Sequence, residues 1–504
     1  MDEVHELPEL LMGIDMGTGS TKGVVTTAEG RILATAVRAH SMSLPRPGWA
    51  EVDAPTTWWG DLVEVVRELT VQVDPSRIKG LCVSGVGPCL LLTDGDLEPT
   101  RPAILYGIDM RATREIDELT RHFGADAVVE RAGKALSAQA VGPKMAWVAR
   151  HEPQVWERSR RWYNSNSYIV AKLTGEYVLD HHSASQSDPL YDIHTRDWAH
   201  DWVGQVAEHL QMPRLAWGAE VVGTIHEAGA DATGLCAGTP VSIGSVDAWS
   251  EAFSAGVRRP GDLMLMYGST MFFVQILESY RAHPMLWTTN GVEEGQYTLA
   301  AGMSTSGSLT TWLQGLMGGV PFEQLIREAT AVPAGSDGLV MLPYFAGERT
   351  PIFDAQARGV IAGLSLRHGR GHLFRAAYEG IAYGIRQILE FLEDDAAPIS
   401  RLVAVGGGTQ GGLWTQIVSD VTGRPQEVPE QAIGASYGDA LLAGIGTGLL
   451  PPDTDWARIG QVIEPRPQAR EVYEQLFTIY EELYPATRAQ VHALAAIQEA
   501  AHED

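Results

Sequence analysis

The chain has 504 residues, 37 Lys plus Arg against 63 Asp plus Glu, a formal net charge of −26, and 45% hydrophobic residues. At roughly 100–200 residues per domain this is enough for two or three domains with their own cores, and the composition excludes wholesale disorder. The acid excess excludes a protein that coats nucleic acid or an anionic membrane. It leaves room for a phosphorylated small ligand, because backbone N–H groups bind phosphate without net charge.

In chain order, the acidic opening from Met1 to Glu9 has the wrong charge for a signal peptide. Leu10-Leu11-Met12-Gly13-Ile14-Asp15 is an apolar run ending on a carboxylate. Gly17-Thr18-Gly19-Ser20-Thr21 then turns it into Gly23–Thr27, and a second turn at Ala28-Glu29-Gly30 leads into Ile32–Val37. This predicts a three-strand meander whose first turn is rich in donors. A helix is expected over about Thr56–Gln72, strands at Gly80–Gly85 and Leu90–Asp94, and mostly helices from Arg111 to Lys172. Strand character returns at Pro240–Gly244.

Near residue 256 the pattern resets. Leu263–Tyr267, a Gly268-Ser269-Thr270 turn and Met271–Val274 repeat the opening device, which suggests an internal duplication with its boundary there. Leu373, Ala377, Ile381, Ile385, Ile388 and Leu392 step by three or four and predict one long helix over His372–Leu392. Gly380 and Gly384, one turn apart, would admit another backbone. Leu402–Val405 ends on Gly406-Gly407-Gly408, a helix follows over Leu413–Thr422, and the last forty residues or so predict a surface helix with an acidic tail. No run approaches the roughly 18 apolar residues of a membrane span.

Three Gly-rich turns, 17–21, 268–270 and 406–408, each follow an apolar strand. Such turns expose several N–H groups and suit phosphate oxygens, although singly each is also what any turn looks like. The pattern GxxxxGK[ST] is absent, and Lys22 takes the third glycine position of a dinucleotide fingerprint. Asp15 and Asp247 both sit at strand ends. Each suits holding Mg²⁺ or accepting a proton from a hydroxyl; each also suits a local role, closing a turn or capping a helix. His181-His182 lacks a third ligand and is expected on a polar surface. Cys82, Cys89 and Cys236 form no CxxC pair, so a reducing cytoplasm is the expected compartment.

Ile14-Asp15-Met16-Gly17-Thr18-Gly19-Ser20-Thr21-Lys22 resembles the first phosphate motif of the actin and sugar-kinase superfamily. Gly359-Val360-Ile361-Ala362-Gly363-Leu364, a seven-residue gap and His372–Glu379 resemble the C-terminal signature of the FGGY carbohydrate kinases. Lys144–His151 fits the N-terminal signature, with Val141 where Pro, Ser or Thr is usual. Gly48–Asp53, Ile108-Asp109-Met110-Arg111, Gly268-Ser269-Thr270 and Gly406-Gly407-Gly408 follow in family order. The xylulokinase-like branch is the nearest.

The resemblance implies an α/β protein of two actin-like, ribonuclease-H-like ATPase domains, 1–256 and 257–504. Each would have a mixed five-stranded sheet flanked by helices, around a deep interdomain cleft. It implies an ATP- and Mg²⁺-dependent kinase acting on a primary hydroxyl of a small sugar, a ketopentose such as D-xylulose. Asp247 is then the catalytic base and, with Asp15, the metal-organising carboxylate. Thr18, Gly19, Ser20 and Lys22 match the first phosphate loop, and Gly268, Ser269 and Thr270 the second. Gly307 and Thr311 match ATP-contacting positions, and Gly407, Gly408 and Gly412 the adenosine loop. Asp109 and Arg111 border the sugar.

Val86-Gly87-Pro88 replaces the side chains that xylulokinases and glycerol kinases use to hold hydroxyls. Other acceptors (ribulose, gluconate, glycerol, erythritol) therefore stay open, as does a non-catalytic ATP-binding module. The expected partner is a small sugar or polyol, with no nucleic acid and no membrane, and a homodimer as the commonest oligomer.

Overall fold

The computed structural model describes residues 8–395, 398–431 and 433–500. Most of the acidic opening segment and the final acidic residues lie outside these. Leu10–Met16 (β1) is buried along its whole length, which is why it reads as a continuous apolar run. It pairs antiparallel with β2 (Ser20–Thr27), in a register that puts Asp15 opposite Lys22, and β2 pairs with β3 (Ile32–Ala39). The predicted meander is therefore present.

β4 (Ile78–Gly85) runs parallel to β1. With β5 (Val221–Thr224) and β6 (Pro240–Ser242) it completes a six-stranded sheet of order β5-β6-β4-β1-β2-β3. A second, seven-stranded sheet is built from β7 (Asp262–Tyr267), β8 (Met271–Leu277), β9 (Trp287–Asn290), β10 (Tyr297–Met303), β11 (Arg401–Val405), β12 (Gln426–Pro429) and β13 (Ile459–Ile463). Its order is β9-β10-β8-β7-β11-β12-β13.

Both sheets contain one five-strand pattern, third-second-first-fourth-fifth: β3-β2-β1-β4-β6 and β10-β8-β7-β11-β12. In each, the first strand is antiparallel to the second and parallel to the fourth. This is the mixed-sheet actin-like fold repeated along the chain. The sheets carry more than the five strands expected, because β5, β9 and β13 add short edges that no apolar run announced.

The helix expected over 56–72 is two pieces. Ala54–Trp59 forms a wide π-type turn capped by Asp53, whose side chain accepts from the Thr56 N–H, and α1 (Gly60–Gln72) continues it. Trp58 is fully buried in the core of this region. α2 (Ser165–Thr174), α3 (Asp247–Ser254), α4 (Gly307–Leu316), α5 (Arg370–Asp395), α6 (Leu413–Thr422) and α7 (Ala435–Gly446) follow. On α5, Gly380 admits the Met341 carbonyl as expected, whereas Gly384 faces the side chains of Met303 and Tyr480 rather than a backbone.

The chain forms two compact units. The first comprises 1–258, 279–298 and 433–456, the second 259–278, 299–432 and 457–504. The first crossing lies two residues past the expected boundary at 256. The return of 433–456 has a packing cause: α7 is buried from Ala435 to Gly444 and lies on β1 and β4. The approach is so close that a Cβ at Gly13 of β1 would collide with the Ser436 carbonyl and the Ala440 amide. No helix among the described residues is long and apolar enough to cross a membrane.

Gly13→Ala is expected to destabilise the first unit by about 1–3 kcal/mol through overpacking, read as a lower denaturation midpoint at unchanged m-value. Wild-type stability in that variant would show that α7 does not rest on β1 in solution.

Candidate functional site

In the first unit, Asp15 is the penultimate residue of β1 and α3 begins on Asp247. Asp247 is the first helical residue, after Val246 at the cap, and its Oδ1 accepts from the Ala248 N–H at 2.7 Å. It thus makes no N-terminal cap of the usual reach, two or three residues on. Asp15 is buried, and its Oδ1 has no hydrogen-bond partner. Burial raises the Asp15 carboxyl well above the ordinary carboxylate range, and the charges of Asp247 and Glu251 push it further. Burial likewise raises Asp247. Lys22 opposes both shifts. Lys22 forms no direct ion pair among the described residues, so it acts as a field across the strand pair.

Two further carboxylates belong to this cluster and were not singled out in the sequence. Glu251 lies four residues after Asp247, a spacing that puts both on one face of α3. Burial, then the Asp247 charge, lifts it to about 7. Asp439, fully buried on α7, accepts from the Ser84 hydroxyl at 2.6 Å and the Ser84 N–H at 3.3 Å. Burial raises its carboxyl, and the Asp15 charge adds to that. The Asp-x-x-x-Glu spacing could have revealed Glu251; nothing local marks Asp439.

An orphaned buried carboxylate oxygen among like charges fits a divalent cation. Among the described residues no group of three or more His, Cys, Asp or Glu could hold a metal unaided.

Beside Asp15, the turn Thr18-Gly19 is closed by a Gly17 N–H to Ser20 carbonyl bond of 3.0 Å, and the Thr18 hydroxyl lies 3.3 Å from that of Tyr106. Ser20 and Lys22 stand on β2.

The segment 86–89 is clamped from below. The Ser165 hydroxyl donates to the Val86 carbonyl at 2.6 Å, and the Cys89 N–H donates to Asn164 Oδ1 at 2.8 Å. A Cβ at Gly87 would come within 2.7 Å of Asn164 Nδ2, so this position stays bare for packing reasons. Pro88 is buried.

Asp109 and Arg111 are spent on each other. Arg111 Nε and Nη2 donate to the Asp109 carboxylate at 2.9 and 2.7 Å, with both side chains inaccessible. Arg111 also bonds Glu51 at 2.7 Å and stacks at 4.0 Å on Trp49. Asp109 Oδ2 accepts the Ala50 N–H at 2.7 Å. The pair braces the loops around it and presents no free polar atoms.

The expected surface placement of His181-His182 is not what the fold gives. His182 is 1% exposed, its ring bonded to the Asn290 carbonyl and the Gln186 amide and packed 3.9 Å from Trp249. A buried histidine is tolerated here because both nitrogens are satisfied.

In the second unit, Gly268-Ser269-Thr270 links β7 to β8, and α4 starts directly against it. The N–H groups of Ser306, Gly307 and Ser308 donate to carbonyls of Ser269, Gly268 and Ser269 at 3.1, 3.0 and 3.0 Å. A Cβ at Gly307 would reach within 2.6 Å of the Gly268 carbonyl. The Thr311 hydroxyl is turned back onto the Gly307 carbonyl at 3.1 Å. Gly408 is compressed between Trp414 and Tyr267, whereas Gly407 and Gly412 have open space on their Cβ side. The structure thus brings together 268–270 with Gly307, and 406–412 with the start of α6.

Because native-state burial raises Asp15, the folded protein binds more protons than the unfolded chain above the ordinary carboxylate range, and its stability falls as pH rises through that window. Asp15→Asn should therefore raise Tm, by a margin that widens from about pH 5 to about pH 8, because the unfolded wild-type chain ionises this carboxyl while the folded protein still has to hold it protonated. A margin that shrinks with pH would overturn this.

The N-terminal domain model of the FGGY family of carbohydrate kinases matches residues 10–254, and the C-terminal domain model matches 263–447. The crystal structure of xylulose kinase from Rhodospirillum rubrum is similar at TM-score 0.88 and 33% identity, over 96% of this chain and 100% of that one. Xylulose kinase of Bacillus subtilis is 26% identical over 95% of this chain and 97% of its own. Glycerol kinase 2 of Streptomyces coelicolor is 28% identical over 89% and 91%. With both domain models matched in order over most of its length, the chain belongs to the FGGY family of carbohydrate kinases.

Proposed function

We propose that the chain transfers the γ-phosphoryl group of ATP to a primary hydroxyl of a small ketose, with D-xylulose the first candidate. Asp247 acts as the base. The observation that carries this is the placement of Asp247: half-buried at the start of α3, beside Asp15 and Glu251, with burial holding its proton affinity up. A carboxylate so tuned takes a proton more readily than an exposed one. As the acceptor oxygen bonds to the γ-phosphorus, its proton passes to Asp247, the bond from that phosphorus to the β–γ bridging oxygen breaks, and ADP leaves.

Asp15, with Asp247, would hold Mg²⁺, which when bound neutralises charge on the phosphates. In the first unit, Thr18, Gly19, Ser20 and Lys22 serve the phosphates. In the second, Gly268, Ser269, Thr270 and Gly307 do so, with Thr311, Gly407, Gly408 and Gly412 on the nucleoside side. Gly87, Pro88, Asp109 and Arg111 shape the acceptor side through backbone rather than free side chains. Cys82, Cys89 and Cys236 are free thiols, which suits the proposed cytoplasmic setting.

A second acceptor class is favoured by one feature: Val86-Gly87-Pro88 carries no polar side chain. Because unmatched hydroxyl partners cost about 1–3 kcal/mol each, such a wall changes which polyol is accepted.

A coupled ADP-release screen over pentuloses, sugar acids and polyols tests both readings, with D-xylulose expected to give the highest kcat/KM. Asp247→Ala should lower kcat by about 10²–10⁴ while the ATP KM moves little. Near-full turnover in that variant would remove Asp247 from the base role, and ATP binding without any phosphorylated acceptor would leave a non-catalytic module.

A further inference from the structure

Against the first glycine turn lies a pair of side chains to which no role has yet been given. His40, the residue after β3, donates its backbone N–H to the Gly19 carbonyl at 3.0 Å. Its ring Nε2 lies 3.0 Å from the Gly17 carbonyl oxygen, and its Nδ1 lies 2.8 Å from Oδ2 of Asp61, in the first turn of α1. The His40 side chain is 9% exposed and that of Asp61 18%. A carbonyl oxygen only accepts, so Nε2–H is the donor to Gly17, and Asp61 sets the ring's orientation from the other nitrogen.

One residue thus holds two carbonyls of a four-residue turn. In a trans peptide the C=O and the following N–H point in opposite directions. Fixing the carbonyls of Gly17 and Gly19 therefore aims the N–H groups of Thr18 and Ser20 away from His40. Among the described residues the N–H groups of Thr18 and Gly19 find no backbone acceptor, and the Gly17 N–H alone closes the turn. Without the His40 ring, the Gly17–Thr18 peptide would be free to rotate, since glycine restrains neither of its dihedrals.

We infer that His40 and Asp61 are positioning residues that keep the amides of the 17–20 turn aimed at phosphate oxygens. They act through the turn and do not touch the ligand themselves. Their effect is pre-organisation: the donors are ordered before the anion arrives, so binding does not have to order them. The inference rests on the reading of this turn as a phosphate turn, and it predicts an effect confined to ligands whose phosphates reach it.

The test is calorimetric titration of the full chain with ATP and with AMP, beside steady-state kinetics with the best acceptor. Wild type should favour ATP over AMP. His40→Ala should weaken ATP about ten-fold in Kd and KM, with AMP affinity and acceptor KM unchanged. His40→Gln, which keeps an N–H donor of similar reach, should recover part of that loss. Asp61→Leu leaves the ring in place but unanchored. It should give the same selective loss, and it carries the test if His40→Ala does not fold. Equal weakening of ATP and AMP, or unchanged ATP affinity in a folded variant with lowered Tm, assigns the pair a purely structural role and overturns the inference. A wild type that binds ATP no tighter than AMP would instead sink the phosphate-turn reading itself.

Discussion

Burial of like charge in the first unit is the constraint on which the candidate site depends. Asp15, Asp247, Glu251 and Asp439 are drawn into one region by β1, α3 and α7, with Lys22 opposing the charge of the first three. Removing carboxylates from water is costly unless they are paired, hydrogen-bonded or protonated. Asp439 receives donors on Oδ2 alone, from Ser84, and its Oδ1 has no partner. All four are left with raised proton affinity, and Asp15 too has an oxygen with no partner. A fold that keeps such a region gives up stability there and gains a strong preference for a cation or a proton.

Anion recognition follows the opposite logic. The chain carries net charge −26, so it could not attract a polyphosphate by overall field. In the proposed reading the phosphates are met instead by neutral backbone amides of the glycine turns, whose carbonyls are held by hydrogen bonds. In the second unit the start of α4 takes three carbonyl contacts from 268–269. In the first, the His40 ring and backbone do the equivalent service for 17–19. In both, the carbonyls are occupied by protein.

Much of this was legible in the amino-acid order. The apolar runs of β1, β7 and β11, the glycine turns behind them and the stripe on α5 each announce themselves locally. So do Asp15 and Asp247, which end or follow strands and stand beside turns. Less visible were residues whose role comes from distant chain. His182 reads as a polar surface residue until Trp249 and the Asn290 carbonyl enclose it. Asp109 and Arg111 read as polar groups near a sugar, yet each is consumed by the other and by Glu51 and Ala50.

By itself, the sequence determined the fold class, the duplication, the family and the positions of the turns, because each is written in neighbours a few residues apart. Tertiary structure decided that 433–456 returns to the first unit, that Asp439 and Glu251 join Asp15 and Asp247, and that His40 and Asp61 hold the first turn. Those outcomes depend on desolvation and on hydrogen bonds between residues tens to hundreds of positions apart, quantities that exist only once the chain has folded.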